Sequence, residues 1–333
     1  MSTLQTIPDL KTLKDIYQSQ QAYTRVTPLI PCEELGAIVQ GNVFVKAESL
    51  QKTGAFKFRG AIYRLLQLSE QEKSRGVIAY SSGNFARGLA TAGEILGIDV
   101  HLVMPADAPS NKIENARAHG AEVRLCYESE PSREEAAAAQ AAQLSQQHGY
   151  SLLHPFDDNT LIQGQSAVAV EISEQLEQLG ETCHFLLCPT GGGSLVAGSS
   201  MVFNTDYSPN TQVLAIEPKG YNGMNLSIQE GHSARANGKH SSSCDALQAL
   251  SPGHANFAII KHSEVSGLTV DEAFINRSIR FAAHSLKLIL EPSGAIGLAA
   301  LLQHPERFRG KTTVIIASGG NIDIENYAHI VNQ

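Results

Sequence analysis

The chain has 333 residues, of which 42% are hydrophobic and 28 are glycine, enough for a large core divided between two domains. A formal net charge of −8 without any basic run excludes nucleic acid and anionic membrane as natural partners and leaves small-molecule chemistry. No apolar run approaches a membrane span, the first residues lack a secretion signal's apolar core, and five scattered cysteines fit neither a disulfide framework nor a zinc site; a cytoplasmic protein is expected.

A polar helix is expected first. Residues 42–47 then alternate as a strand, and Phe58, Ala61, Ile62, Leu65 and Leu66 recur at helical spacing. Strand and helix alternate from there on. Strands are expected at 76–80, 99–104, 121–126, 151–154, 184–188, 212–216 and 312–317. Helices are expected at 84–96, 109–119, from 132, at 160–179, after 194, at 271–286 and at 292–303. Ser132 and Glu135 have capping-box spacing. This alternation implies an α/β fold, two parallel or mostly parallel sheets with helices on both faces. Cys183, His184 and Cys188 flank a buried strand and read as core residues rather than metal ligands. After Asn321 only a short tail remains, too short for an appended regulatory domain.

The chain is organised around residues 48–61, ESLQKTGAFKFRGA. Lys57 falls at a strand-to-helix junction, where open α/β sheets place ligands, and Gly54 and Ala55 leave room beside it. A lysine whose surroundings favour the neutral amine can anchor a carbonyl cofactor covalently. Taken alone, the stretch favours the plainer reading of a lysine capping a surface turn. At Gly191-Gly192-Gly193-Ser194 an apolar strand runs into a glycine turn that opens a helix, an arrangement that binds phosphate through exposed N–H groups and the positive helix end. Its spacing is not G-x-G-x-x-G and no lysine follows, which argues against a dinucleotide-binding oxidoreductase and a P-loop. Ser81-Ser82-Gly83-Asn84 also precedes a helix and suits an anion or a capping turn.

These segments, with EPSGA from Glu291 and SGGN from Ser318, occur in one order. The chain from Thr27 to about Asp323 resembles the serine/threonine dehydratase and serine racemase family, pyridoxal phosphate enzymes of the tryptophan synthase β fold. The resemblance implies a large cofactor-binding domain of residues 1–75 and 155–333 with a small substrate-gating domain of residues 76–154 inserted in it. It implies a β-elimination of a hydroxy amino acid such as L-threonine or L-serine to a 2-keto acid and ammonia, with an amino acid racemase as the alternative. A non-catalytic protein that binds pyridoxal phosphate or amino acids is the reading from another class. A homodimer is expected by analogy.

The resemblance also implies roles for residues. Lys57 carries pyridoxal 5'-phosphate and removes the Cα proton, and Ser82 is the acid or base on the opposite face. Phe56, Asn84, Gly191, Gly192, Gly193, Ser194, Leu195, Glu291 and Ser318 hold the cofactor, Asn84 at the ring hydroxyl and Ser318 at the ring nitrogen. Ser81, Ser82, Gly83 and Asn84 bind the substrate, with Arg133 near its distal end.

Three departures from the family stand out. Phe85 replaces the usual histidine. Arg87 replaces the common glutamine, and is read either as a receiver of a second substrate carboxylate or as a solvated helix arginine. Some relatives bind a divalent cation through E-P-x-x-A-x-D, but here Glu217-Pro218-Lys219-Gly220-Tyr221-Asn222-Gly223 lacks the second carboxylate, so no metal of that type is expected.

Overall fold

The computed structural model describes residues 7–130, 132–203, 208 and 210–333. The described strands are β1 (Leu29–Pro31), β2 (Val43–Lys46), β3 (Val77–Tyr80), β4 (Val100–Pro105), β5 (Glu122–Cys126), β6 (Ser151–Leu153), β7 (Phe185–Pro189), β8 (Gln212–Pro218), β9 (Val265–Val270) and β10 (Thr313–Ile316). They form a six-stranded sheet in the order β1-β2-β10-β7-β8-β9 and a four-stranded sheet in the order β5-β4-β3-β6. Every pairing is parallel except β1 with β2. The expected α/β architecture of two mostly parallel sheets is therefore present. Parallel strands covered on both faces read as continuous apolar runs, and Phe44-Val45, Leu186-Leu187-Cys188 and Val314-Ile315-Ile316 are buried accordingly.

Helices Leu10–Gln20, Ala167–Leu179 and Ser194–Phe203 cover one face of the larger sheet, and Glu33–Val39, Glu272–Phe281 and Pro292–Gln303 cover the other. On the smaller sheet, one face packs against helices Asn84–Leu96 and Ser110–Ala118 and the other against Arg133–His148. The helix Lys57–Leu66 buries Phe58, Ala61, Ile62 and Leu65 in the same cluster as Val77, Leu89 and Leu102, so the lysine's own helix is seated against the smaller sheet.

Several expected elements differ in detail. The helix expected at 160–179 is two, Asn159–Gln165 and Ala167–Leu179, separated at Ser166, whose hydroxyl bonds back to the Gln163 carbonyl. The helix expected at 271–286 is α-helical over Glu272–Phe281 and widens into a π turn at Ala282–Leu286, ending with Lys287 in the left-handed region. Ser132 caps its helix by accepting from the Glu135 N–H, which is half of the expected box. The tail contains a helix, Ile324–Val331, capped by Asp323.

Two buried cations knit the base of the Lys57 loop. Arg59 spans Glu48 and Glu171 with four charge-assisted bonds of 2.8–2.9 Å, and Lys46 donates to Glu171 at 2.7 Å, to Gln175 at 2.8 Å and to the Thr27 carbonyl at 2.7 Å. All four charged side chains are at most 1% exposed. Glu48 and Arg59 bracket Lys57, so the cluster fixes both ends of the segment that carries it.

Candidate active site

The site gathers at the carboxyl ends of β2, β3, β6, β7 and β10, where ligands of parallel sheets bind. The parallel register of β10 on β7, Ile315 opposite Leu187, brings Ser318 level with Thr190 and the glycine turn. The Ser318 carbonyl accepts from the Phe56 N–H at 3.1 Å, which ties the end of β10 to the loop before Lys57. Ser318 is nearly buried, at 4% exposure.

Lys57 opens its helix and is half-buried. Its Nζ donates to the Pro155 carbonyl at 2.9 Å, lies 3.3 Å from Ser194 Oγ and sits 5.3 Å from the centroid of the Phe56 ring. Burial without a paired anion pulls its pKa down to about 7. The amine is therefore turned inward onto Pro155 and Ser194 rather than out from a solvated turn.

Directly beneath, the strand β7 ends at Pro189 and the chain turns through Gly191, Gly192 and Gly193 into the helix Ser194–Phe203. Among the described residues, the N–H groups of these three glycines donate to no protein oxygen. A Cβ on Gly192 would meet the Phe156 ring at 2.2 Å, and Gly193 has φ +103°, closed to ordinary L residues. Ser194 and Leu195 are buried at the start of the helix. Replacing Gly193 by alanine combines a forbidden φ with a Cβ placed 2.5 Å from Met224 Cε. Cofactor affinity is expected to fall by at least about tenfold, on the scale of 1–3 kcal/mol for a strained backbone site, measured by absorbance titration of the apo-protein.

Ser81, Ser82, Gly83 and Asn84 connect β3 to the helix Asn84–Leu96. Ser81 Oγ accepts from the Gly83 N–H at 3.3 Å. Asn84 Nδ2 donates to Glu291 Oε1 at 2.6 Å, bringing together two residues 207 positions apart. Burial, reinforced by the charge of Asp245, pushes the Glu291 pKa up to about 7, against the bond from Asn84.

Arg133 is not brought into this cluster. Its guanidinium, 49% exposed, pairs with Asp107 at 3.0 Å and Glu134 at 2.7 Å, both at the surface. Arg87 is not a solvated helix arginine: its NH1 donates to Asn321 Oδ1 at 2.7 Å and its Nε is buried without a partner. Glu217 is buried and accepts from the Met224 and Asn225 N–H groups, each at 2.8 Å, so the start of the helix Gly223–Glu230 serves this carboxylate; burial raises its pKa to about 8.

Sequence reasoning missed the loop 154–157. Pro155 supplies the carbonyl that holds Lys57, Phe156 packs on Gly192, and Asp157 accepts from the His254 and Ala255 N–H groups. It also missed Asn256, whose Nδ2 donates to Phe156 O at 3.0 Å and Gly192 O at 2.8 Å and so locks that loop to the glycine turn. The dipeptide His154-Pro155 after a strand was the available signal for this loop.

The family model for pyridoxal-phosphate dependent enzymes matches residues 21–319, a span that contains the residues of this site except Asn321. The chain belongs to that family. Among the relatives of this pyridoxal-phosphate dependent enzyme is the L-threonine ammonia-lyase of Thermotoga maritima, 34% identical over 97% of this chain and 78% of the relative. The L-threo-3-hydroxyaspartate ammonia-lyase of Saccharomyces cerevisiae is 32% identical over 98% of this chain and 97% of its own. The structure of maize serine racemase superposes with a TM-score of 0.88 at 30% identity, covering 97% of this chain and 96% of the racemase.

The residues fit pyridoxal 5'-phosphate. Three amide donors without protein partners at a helix start suit the phosphate, and the Lys57 amine beside Ser194 suits the aldehyde.

Proposed function

We propose that this enzyme is an ammonia-lyase that removes water from a β-hydroxy amino acid of the serine and threonine class and releases a 2-keto acid and ammonia. One observation carries the reading: a half-buried lysine amine, poised near neutrality, lies 3.3 Å from the hydroxyl that begins the helix of the unpaired glycine turn. Bound pyridoxal phosphate supplies an electron sink for the bond broken at Cα. Gly191, Gly192, Gly193 and Ser194 would hold its phosphate, and Ser318 would offer its ring nitrogen a neutral hydroxyl rather than a carboxylate. The N–H groups at the start of the helix Asn84–Leu96 bind the substrate carboxylate. The Lys57 amine would accept the Cα proton. The β-hydroxyl would leave as water with the proton that Lys57 took from Cα, and a second water would supply the keto oxygen as ammonia departs.

The racemase is the second reading, and Ser82 favours it. Its hydroxyl bonds to no described residue, which leaves it available as acid or base on the face opposite Lys57. We further propose that residues 76–154 move as a gate over the substrate, that the enzyme is a homodimer, and that it works in the cytoplasm, where five unpaired cysteines suit a reducing compartment.

Keto-acid release from serine, threonine and 3-hydroxyaspartate, with chiral analysis of residual substrate, tests the assignment. The lyase requires keto acid from at least one of them. Inversion of configuration without keto acid would make the chain a racemase. Because only the neutral amine attacks an aldehyde, the rate at which apo-protein captures the cofactor is expected to rise with pH around a midpoint near 7. A midpoint near the ordinary lysine value of 10.5 would contradict the assigned environment of Lys57.

A further inference from the structure

Four side chains and one carbonyl form a hydrogen-bonded line across the site. Arg87 NH1 donates to Asn321 Oδ1 at 2.7 Å. Asn321 Nδ2 donates to Asn84 Oδ1 at 2.7 Å and to the Thr53 carbonyl at 2.8 Å. Asn84 Nδ2 then donates to Glu291 Oε1 at 2.6 Å. The line joins the helix that follows β3, the end of β10, the loop before Lys57 and the helix start at Glu291.

Its direction is set by groups of one polarity, the donor-only Arg87 at one end and the acceptors Thr53 O and Glu291 at the others. A guanidinium has donors only, so Asn321 must turn its oxygen to Arg87 and its NH2 group to Asn84 and Thr53. Asn84 must then accept with its oxygen, which turns its own NH2 group to Glu291 and leaves one N–H free. A neutral amide in place of Arg87 could present either end, and only the Thr53 carbonyl and the Glu291 carboxylate would then oppose a flip of the two asparagines. The Thr53 carbonyl belongs to a β-branched residue at φ +68°, a conformation that needs outside support, and Asn321 provides it. A Cβ on Gly54 would lie 2.5 Å from Asn321 Oδ1, so the loop is fitted closely to that side chain. The Nε of Arg87 is buried and has no hydrogen-bond partner among the described residues.

We propose that Arg87 is a positioning residue that, together with the Thr53 carbonyl and through Asn321, holds the orientation of the Asn84 amide and the loop before Lys57, so that Asn84 presents an N–H to the ring oxygen of the cofactor. The inference rests on the reading of this site as a pyridoxal phosphate site. It adds a group that touches neither cofactor nor substrate but determines which way a cofactor contact faces.

The test is absorbance titration of apo-protein with pyridoxal phosphate, and pH titration of the bound cofactor's visible band, for wild type, Arg87→Met, Arg87→Lys, Asn321→Ala and the double variant Arg87→Met/Asn321→Ala. Arg87→Met is expected to weaken cofactor binding about tenfold and to shift the midpoint of the pH titration. Arg87→Lys, which keeps a donor-only group, restores most of both. The double variant equals Asn321→Ala alone, because the two residues act in one line. Wild-type affinity and an unmoved band in Arg87→Met overturn the proposal, as does an effect confined to the KM of a dicarboxylic substrate. If Arg87→Met fails to fold, Arg87→Lys against Asn321→Ala decides: equal losses overturn the proposal. Wild-type protein that binds no pyridoxal phosphate overturns the site reading together with the proposal, whereas binding that ignores Arg87 overturns the proposal only.

Discussion

Lys57→Ala is expected to lower keto-acid release by about 10⁴-fold or more while leaving the fold intact. General base catalysis at Cα is worth on the order of 10²–10⁴, and loss of the covalent anchor adds to it. The fold should survive because the Lys57 amine contributes only its bonds to Pro155 and Ser194, and the helix is held by Phe58, Ala61, Ile62 and Leu65. Circular dichroism and the denaturation midpoint should match the wild type. Turnover within about tenfold of wild type would mean that another group removes the Cα proton.

Arg59→Ala is expected to have the largest effect on stability, a loss of about 3–5 kcal/mol in chemical denaturation, because it removes the buried cation of Glu48 and leaves Glu171 with Lys46 alone. Burial alone would lower the Arg59 pKa, but the two carboxylates raise it; burial would raise Glu48, and Arg59 lowers it instead. Since the Glu48 pKa in the fold lies below its ordinary 4.5, its contribution is fully present above that pH and is lost as pH falls through the depressed value. Arg59→Ala should therefore flatten the acid limb of the stability curve as well as lower its plateau. Activity should fall too, since Glu48 and Arg59 bracket Lys57. A loss below about 1 kcal/mol would show that water or a local rearrangement neutralises the two carboxylates.

How much of this was legible in the sequence depended on how local each signal was. The strand β2 announced itself by alternation and β7 as an apolar run, and each led into residues of the site, Lys57 after one and Gly191 to Ser194 after the other. Helix breaks were less visible: the apolar periodicity of 160–179 runs straight through Ser166, and only a side-chain bond to the preceding turn interrupts it. The partners of Lys57 were invisible because one of them is a backbone carbonyl, at Pro155, 98 residues away. Arg87 was ambiguous for the same reason, as its acceptor Asn321 is 234 residues off and no local pattern links them. Arg133 was open between a place near the substrate, from its match to a family arginine, and a surface salt bridge, and Asp107 and Glu134 pair with it at the surface.

The most direct test of the account is borohydride reduction of the cofactor-loaded protein followed by mass spectrometry of its peptides. The account predicts one reduced pyridoxyl group, on the peptide containing Lys57. A pyridoxyl group on any other lysine, or none in protein supplied with the cofactor, would contradict it.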